Sequence, residues 1–466
     1  MRAARWLLAA AAVSAAGCGR EAPAPVVLVS VDTLRADHLG CYGYERPTSP
    51  ALDRFAAESV LFADAVAPAP TTAPSHMSIF TSLYPPVHGV RNYSPDWPTA
   101  ALSERLATLP EFMRDHGYFT AALTGGGNVA GQGFERGFDF YRSWFPGPDE
   151  EESRARSVAR VLDAVRRCVR RSREEGKPLF LFLHHYLCHD PYLGGPPGIR
   201  RRFLTDPVPG LPVSLADLRG DAGWADMRER FFGPADLERP DHLAHYVALY
   251  DGGVLYSDAV FARIRRVLEE EGVYDKALIV FTSDHGEEFM EHRGILHEML
   301  FRETLHVPLI VRFPGGERGG RTVSAPVRTL DIFPTIAACL GLEGDLPSVQ
   351  GASLLEVADG GGAPGEAPLS FTPWDESLRI VDGEYVYGNH WSHGTGEWLF
   401  ARDDLAESRN LAGELPRVAA AERLRALAAA ENVRSLKERL APEGPKPGAP
   451  LAPAVRERLR ALGYLR

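Results

Sequence analysis

The chain has 466 residues, 45% of them hydrophobic and 24% charged, with a net charge of −11. Such a composition belongs to a folded globular protein, and its acidic balance excludes a general nucleic-acid binder, because no basic excess is present to neutralise phosphates. At about 150 residues per domain the length allows roughly three domains, or one large domain with an appendage.

At the N-terminus, Arg2 and Arg5 precede an apolar run from Trp6 to Ala16, and small residues lead into Cys18. A basic start, a short apolar region and a small-residue cleavage site predict a secretory signal over residues 1–17. The run is too short to span a bilayer, which takes about 20 apolar residues. Small residues ahead of a cysteine resemble the lipobox of bacterial lipoproteins. That resemblance implies lipidation at Cys18, a linker over 18–25, and an exported periplasmic or outer-membrane protein held to the membrane by this anchor only. A simple cleaved signal with an incidental Cys18 is the alternative. Cys41, Cys168, Cys188 and Cys339 show no CxxC spacing, so pairing and burial both stay open.

VVLVSV (26–31) is a continuous apolar, β-branched run, as expected of a strand buried on both faces. LFLFL (179–183), ALIVFT (277–282) and VPLIVR (307–312) share that character. Helical patterns lie between them, over 157–175 and 256–272. Buried strands alternating with amphipathic helices predict an α/β fold with a mainly parallel sheet covered on both faces. Residues 193–240 read as a Gly-, Pro- and Arg-rich insertion, either a solvated loop or a pocket wall. Past residue 345, SLRIVDGEYVYG and EWLFARDD predict a small antiparallel sheet within 346–415. An Ala-rich helix, a Pro-rich linker and a terminal helix complete 416–466.

In parallel sheets, ligands bind outside the carboxyl ends of the strands. Here VDTLRADH, HHYLCHD and SDHGEE follow three of the buried runs, so Asp and His converge from distant segments. Asp284 and His285, offered by one tight turn at Gly286, suit a divalent cation, and Asp32 would add a third ligand. The competing reading makes the two aspartates helix or turn caps. In TTAPSHMSIF (71–80), Pro74 falls in the first turn of a predicted helix, so Thr72 lies at the positive end. A cap is one role for it. Attack on an ester is the other, which needs activation by a base or metal.

Five ordered segments carry a family resemblance: VDTLRADHLGCYGY, TTAPSHMSIFTSLYPPVHGV, YDGGVLYSDAV, FTSDHGEEF and LHVPLIVRFPG. Together they resemble the sulfatase family of the alkaline phosphatase superfamily. The resemblance implies a large domain over 26–345 with a mixed, mainly parallel sheet of ten strands sandwiched by helices, a smaller C-terminal antiparallel sheet, and hydrolysis of sulfate or phosphate esters. It also implies a divalent metal, Ca²⁺ or Mg²⁺ first and Zn²⁺ or Mn²⁺ as alternatives, on Asp32, Thr72, Asp284 and His285. His189 and His297 match catalytic histidines that contact the transferred group, while His76, His184 and Asn128 match substrate-binding positions. Thr33 and Leu187 stand where relatives carry aspartates, and TGGGNVAGQGF occupies the region of the usual GKWH element.

At the nucleophile, sulfatases have a cysteine or serine that is oxidised to formylglycine. Oxidation of Thr72 would give a ketone instead of an aldehyde, so no formylglycine is expected. An unmodified threonine beside an Asp, Asp, His site resembles the phospho-transferring branches of the superfamily. Three readings stay open on the sequence: a hydrolase of a small anionic ester or of a sulfated or phosphorylated glycan or lipid head group, a phosphodiesterase or phospho-group transferase, and a non-catalytic binding lipoprotein.

Overall fold

The computed structural model describes residues 23–443 and 446–447, apart from 94–99, 144–150, 194, 219–223, 363–364, 373–376 and 391–395. The predicted signal, Cys18 and the terminal helix lie outside the described residues. No helix among the described residues is long and apolar enough to cross a membrane.

Among the described residues nine strands make the main sheet: β1 (Val26–Val31), β2 (Val60–Val66), β3 (Phe119–Thr124), β4 (Phe140–Ser143), β5 (Leu179–His185), β6 (Leu278–Thr282), β7 (His306–Arg312), β8 (Arg321–Val323) and β9 (Val327–Arg328). Their spatial order is β8-β2-β7-β6-β1-β5-β3-β4, with β9 also beside β2. The sheet described is thus one strand smaller than the resemblance implied. β1 lies at the centre, parallel to β5 and β6.

The continuous apolar runs follow from burial on both faces. Val26, Leu28, Phe180 and Phe182 enter one core layer, with the helix Thr72–Thr81. Val27, Val29, Val31 and Leu181 enter the other, with the helices Pro50–Ala57, Glu151–Glu174 and Pro240–Glu270. Alternate residues therefore face opposite layers, so both sets are apolar except toward the strand ends, where Ser30, His184 and Thr282 stand. Phe182 is fully buried, with its ring 4.9 Å from that of Phe80 in a T-shaped pair. Phe182→Ala is expected to cost about 3–5 kcal/mol of stability, read as a lower urea midpoint with an unchanged slope.

β7 departs from the parallel expectation, since it runs antiparallel to both β6 and β2. Its seven residues are all buried, so periodicity cannot separate it from a parallel strand. Direction is set by the connection. A parallel return needs a crossover, usually a helix, but residues 283–305 form a small hairpin (Glu288–Phe289 with Ile295–Leu296) and one helical turn (Arg302–Leu305).

The helix expected over 256–272 begins sixteen residues earlier, at Pro240, and runs through Gly252 and Gly253. Those glycines permit close approach. A Cβ on Gly252 would lie 2.1 Å from the Arg200 carbonyl oxygen, and one on Gly253 3.0 Å from the Cys188 backbone. The C-terminal sheet has four antiparallel strands, Leu369–Phe371, Leu378–Asp382, Tyr385–His390 and Gly396–Ala401, the first of which gave no clear apolar run. Gly383, at φ 54°, makes the two-residue turn between the second and third. The helix Pro416–Leu440 covers this sheet through residues such as Ala419 and Ala426. The four described cysteines are free.

Candidate active site

Asp32 directly follows β1, and its N–H donates to the His185 carbonyl at the end of β5 (3.0 Å). Thr33 then turns the chain in left-handed backbone (φ 57°). Its hydroxyl donates to the Asp32 carbonyl (2.8 Å) and its N–H to Asp284 Oδ1 (3.4 Å). Where relatives carry an aspartate, this threonine thus orients the other carboxylate. Tyr250 locks the same turn, donating its hydroxyl to the Thr33 carbonyl (2.7 Å) and accepting from the Arg35 N–H (2.9 Å). Its neighbour Asp251 holds His38, Tyr44 and Arg46 at 2.7–2.8 Å. The YDGG segment is therefore a brace for the first site loop.

Asp284 and His285 follow β6. Gly286 is required there by close approach, because a Cβ would stand 1.9 Å from the Glu303 carbonyl oxygen while the Gly286 N–H donates to the Thr304 carbonyl (2.7 Å). Gly286→Ala must push backbone against backbone. It is expected to cost at least about 2 kcal/mol and to misplace His285, seen as a lowered melting temperature together with weakened metal binding.

One ligand atom each from Asp32, Asp284 and His285 lies within 4.8 Å of the others, and all three residues are fully buried. His285 Nε2 is 3.4 Å from Asp284 Oδ2 and 3.9 Å from Asp32 Oδ1. Neither of those oxygens accepts a hydrogen bond. His285 donates its Nδ1–H to the Gly286 carbonyl (2.9 Å), which leaves the Nε2 lone pair facing the carboxylates. Burial and the Asp32 charge push the Asp284 carboxyl well up. Burial acts upward on Asp32 too, but the His184 hydrogen bond and the neighbouring imidazoles outweigh it and hold Asp32 far below the usual carboxylate range. Two converging, partly unpartnered buried carboxylates and an outward imidazole lone pair fit a divalent cation, and with it the set is electroneutral.

Thr72 opens the helix Thr72–Thr81, with its Oγ1 3.5 Å from His285 Nε2. It is not the N-cap. That position belongs to Thr71, in extended backbone, and the Ala73 N–H is satisfied by the Asn92 side chain (2.7 Å). The capping reading of Thr72 is thereby corrected. Its hydroxyl sits at the positive helix end beside the two carboxylates.

His76 and His184, expected at substrate-binding positions, have both ring nitrogens engaged by protein groups. His76 Nδ1–H donates to the Thr72 carbonyl (2.9 Å) and lies 3.3 Å from Asp284 Oδ2, while Nε2 accepts from the Ser30 hydroxyl (2.9 Å). Burial pulls its pKa down to about 3, so it is neutral. His184 Nε2–H donates to Asp32 Oδ2 (3.3 Å), and Nδ1 accepts from the Gly125 N–H (3.4 Å). Both imidazoles are engaged in holding the Thr72 turn and the Asp32 carboxylate. Asn128 accepts from the Tyr93 N–H (3.0 Å), and its buried amide nitrogen has no partner.

His189 and His297 face the same centre. His189 Nε2 is 3.8 Å from Asp32 Oδ1, and the His297 ring centroid is 4.5 Å from that of His285 and 5.4 Å from that of His189. Burial acts to lower the His189 pKa, yet the Asp190 carboxylate at 2.6 Å, with Asp32 and Glu287, raises it to about 10. His297, on Glu287 Oε1 at 3.1 Å, is pulled down to about 4 by burial and the His189 charge. A cationic and a neutral imidazole thus sit side by side at pH 7. Asp190, Glu287 and Ser30 were not singled out from the sequence; adjacency of Asp190 and Glu287 to HD and DHGEE was the available signal, and Ser30 offered none.

A mainly parallel α/β sheet whose central strand ends deliver Asp32 and Asp284-His285, with the Thr72 hydroxyl at a nearby helix start, is an alkaline-phosphatase-like fold with a cluster of candidate metal ligands at its centre. The sequence model of the Sulfatase family matches residues 25–342. The chain belongs to that family. It is 26% identical to human (Homo sapiens) iduronate 2-sulfatase, over 66% of this chain and 62% of that protein. It is also 26% identical to the multifunctional alkaline phosphatase superfamily protein PehA of Trinickia caryophylli, over 71% and 76%. The chain thus spans less than two thirds of the length of the iduronate 2-sulfatase it matches. Among solved structures, the phosphonate monoester hydrolase of Agrobacterium radiobacter superposes with a TM-score of 0.68 at 21% identity, covering 92% of this chain and all of that one.

Proposed function

We propose that the protein is a metal-dependent ester hydrolase that uses Thr72 as an unmodified nucleophile, and that its substrate is a phosphorus ester in preference to a sulfate ester. The observation carrying this reading is the Thr72 hydroxyl 3.5 Å from His285 Nε2, at a helix start beside two buried carboxylates. Asp32, Asp284 and His285, with Thr72, would hold the cation. When bound there, a divalent ion supplies the positive charge that favours an alkoxide and offsets charge on a tetrahedral oxyanion.

Thr72 Oγ1 forms a bond to the phosphorus or sulfur as the bond to the leaving alcohol breaks, giving a Thr72 ester. Water then attacks that ester, releasing phosphate or sulfate and restoring the hydroxyl. The helix start orients the anionic group. Cationic His189 offsets charge on the equatorial oxygens and carries the proton that can pass to the departing oxygen, while neutral His297 would take up the proton that Thr72 releases. The threonine supports phosphorus chemistry, because the aldehyde chemistry of formylglycine sulfatases is closed to it. Substrates in this reading are small anionic esters or phosphorylated or sulfated glycans and lipid head groups, met outside the cytoplasm by a protein anchored through Cys18.

Aryl sulfate, phosphate monoester, phosphodiester and phosphonate monoester substrates, assayed with added Ca²⁺, Mg²⁺, Mn²⁺ or Zn²⁺, rank these options directly. Faster cleavage of the aryl sulfate than of every phosphorus ester would reverse the preference. Peptide mass spectrometry across Thr72 checks that the residue is unmodified in the resting enzyme.

A further inference from the structure

Beyond Gly286 the chain forms a hairpin, Glu288–Phe289 paired with Ile295–Leu296, and His297 follows directly. The base of this hairpin holds a second convergence of ligand atoms, from Glu288, His292 and Glu303, within 4.8 Å of one another. Glu288 is fully buried. Its Oε1 accepts from the N–H groups of His292 (3.2 Å) and Gly294 (3.0 Å), while Oε2 has no partner. Glu303, 7% exposed, comes from the helical turn before β7, so the cluster ties two segments together.

The histidine is oriented as a ligand. His292 Nε2–H donates to the Glu407 carbonyl (3.1 Å), and the ring stacks on Phe301 with 3.7 Å between centroids and 11° between planes. Its lone-pair nitrogen Nδ1 is thereby directed at Glu303 Oε1, 2.5 Å away. At that separation a proton lies between the two atoms, and a divalent cation taking its place, at about 2.1 Å from each ligand, would open the pair to about 3 Å. A proton on His292 satisfies one carboxylate and leaves the cluster with a net negative charge and the Glu288 oxygen still bare. A divalent ion with neutral imidazole and two carboxylates is electroneutral, and it supplies the missing partner of Glu288.

We propose that Glu288, His292 and Glu303 bind a second divalent cation, separate from the one at Asp32, Asp284 and His285, which fixes the hairpin that delivers His297. One imidazole with two carboxylates suits a first-row ion such as Zn²⁺ or Mn²⁺ better than Ca²⁺.

The full chain, stripped with a chelator, reloaded with zinc chloride and desalted, is assayed for bound zinc per protein. Two equivalents are expected in wild type, one in Glu288→Gln and one in Asp284→Asn. A single equivalent that Asp284→Asn removes and Glu288→Gln retains would overturn the second site and leave an imidazolium–carboxylate pair there. A single equivalent lost from Glu288→Gln but kept in Asp284→Asn would support it, and would show that zinc is not the ion of the first site. Should Glu288→Gln fail to fold by circular dichroism, His292→Gln, whose side chain reaches the surface, replaces it. Wild-type binding of no zinc at all overturns the proposal without any variant.

Discussion

Thr72→Ala is expected to lower kcat/KM on every ester the wild type cleaves by at least about 10³-fold, equivalent to ~4 kcal/mol of transition-state stabilisation. Loss of the attacking atom removes a step, so the deficit falls in kcat and excess substrate does not restore it. Thr72→Ser keeps the hydroxyl and is expected to retain activity within about tenfold, with some loss because a fully buried methyl is gone. The same substitution tests fold and chemistry separately. Thr71 occupies the N-cap and Asn92 satisfies the Ala73 N–H, so the helix start does not depend on the Thr72 side chain. The melting temperature of Thr72→Ala should therefore stay within a few degrees of wild type while turnover collapses. Full activity in Thr72→Ala would remove threonine from the nucleophile role.

How much of this site the sequence discloses depends on how local each cause is. Asp32, Asp284 and His285 were legible because each follows a buried strand, and strand ends on one edge of a sheet must converge. His189 was legible for the same reason, one turn past β5. By contrast, His76 and His184 lie as close to the centre but act inward. Their partners, Ser30 and the Gly125 N–H, are 46 and 59 residues away, and no local pattern reports which face of a buried ring is engaged. The direction of β7 was hidden because burial on both faces erases the alternation that marks an antiparallel strand. Likewise the helix was expected only from 256, whereas it runs through Gly252 and Gly253, whose cause is the close approach of the Arg200 and Cys188 backbones. β2 and β3 were missed for compositional reasons: VLFADAV carries an aspartate mid-strand and FTAALT is built from small residues.

The second large effect concerns Asp284, and its two parts have opposite signs. In chelator-treated protein the Asp284 carboxyl is buried opposite Asp32, and both burial and that neighbour disfavour its ionised form. Asp284→Asn removes the disfavoured charge at constant shape. Its retained oxygen keeps the Thr33 N–H contact, and the new amide can donate to His285 Nε2, 3.4 Å from the replaced oxygen. Metal-free Asp284→Asn should therefore be more stable than metal-free wild type, on the order of 1 kcal/mol. Saturating metal reverses the ranking. A ligand at 100 times its Kd stabilises a folded protein by about 2.7 kcal/mol, and only the wild type keeps the anionic pair that binds it. Thermal unfolding of both proteins, with chelator and with each divalent ion, gives the four melting temperatures needed for each ion. A variant less stable than wild type in chelator would mean that Asp284 acts as an ordinary hydrogen-bonded core residue, and equal metal-induced shifts in both proteins would place the cation elsewhere. Crossing stability curves, with activity lost in the variant at every metal concentration, are what a cation held between Asp32 and Asp284 requires.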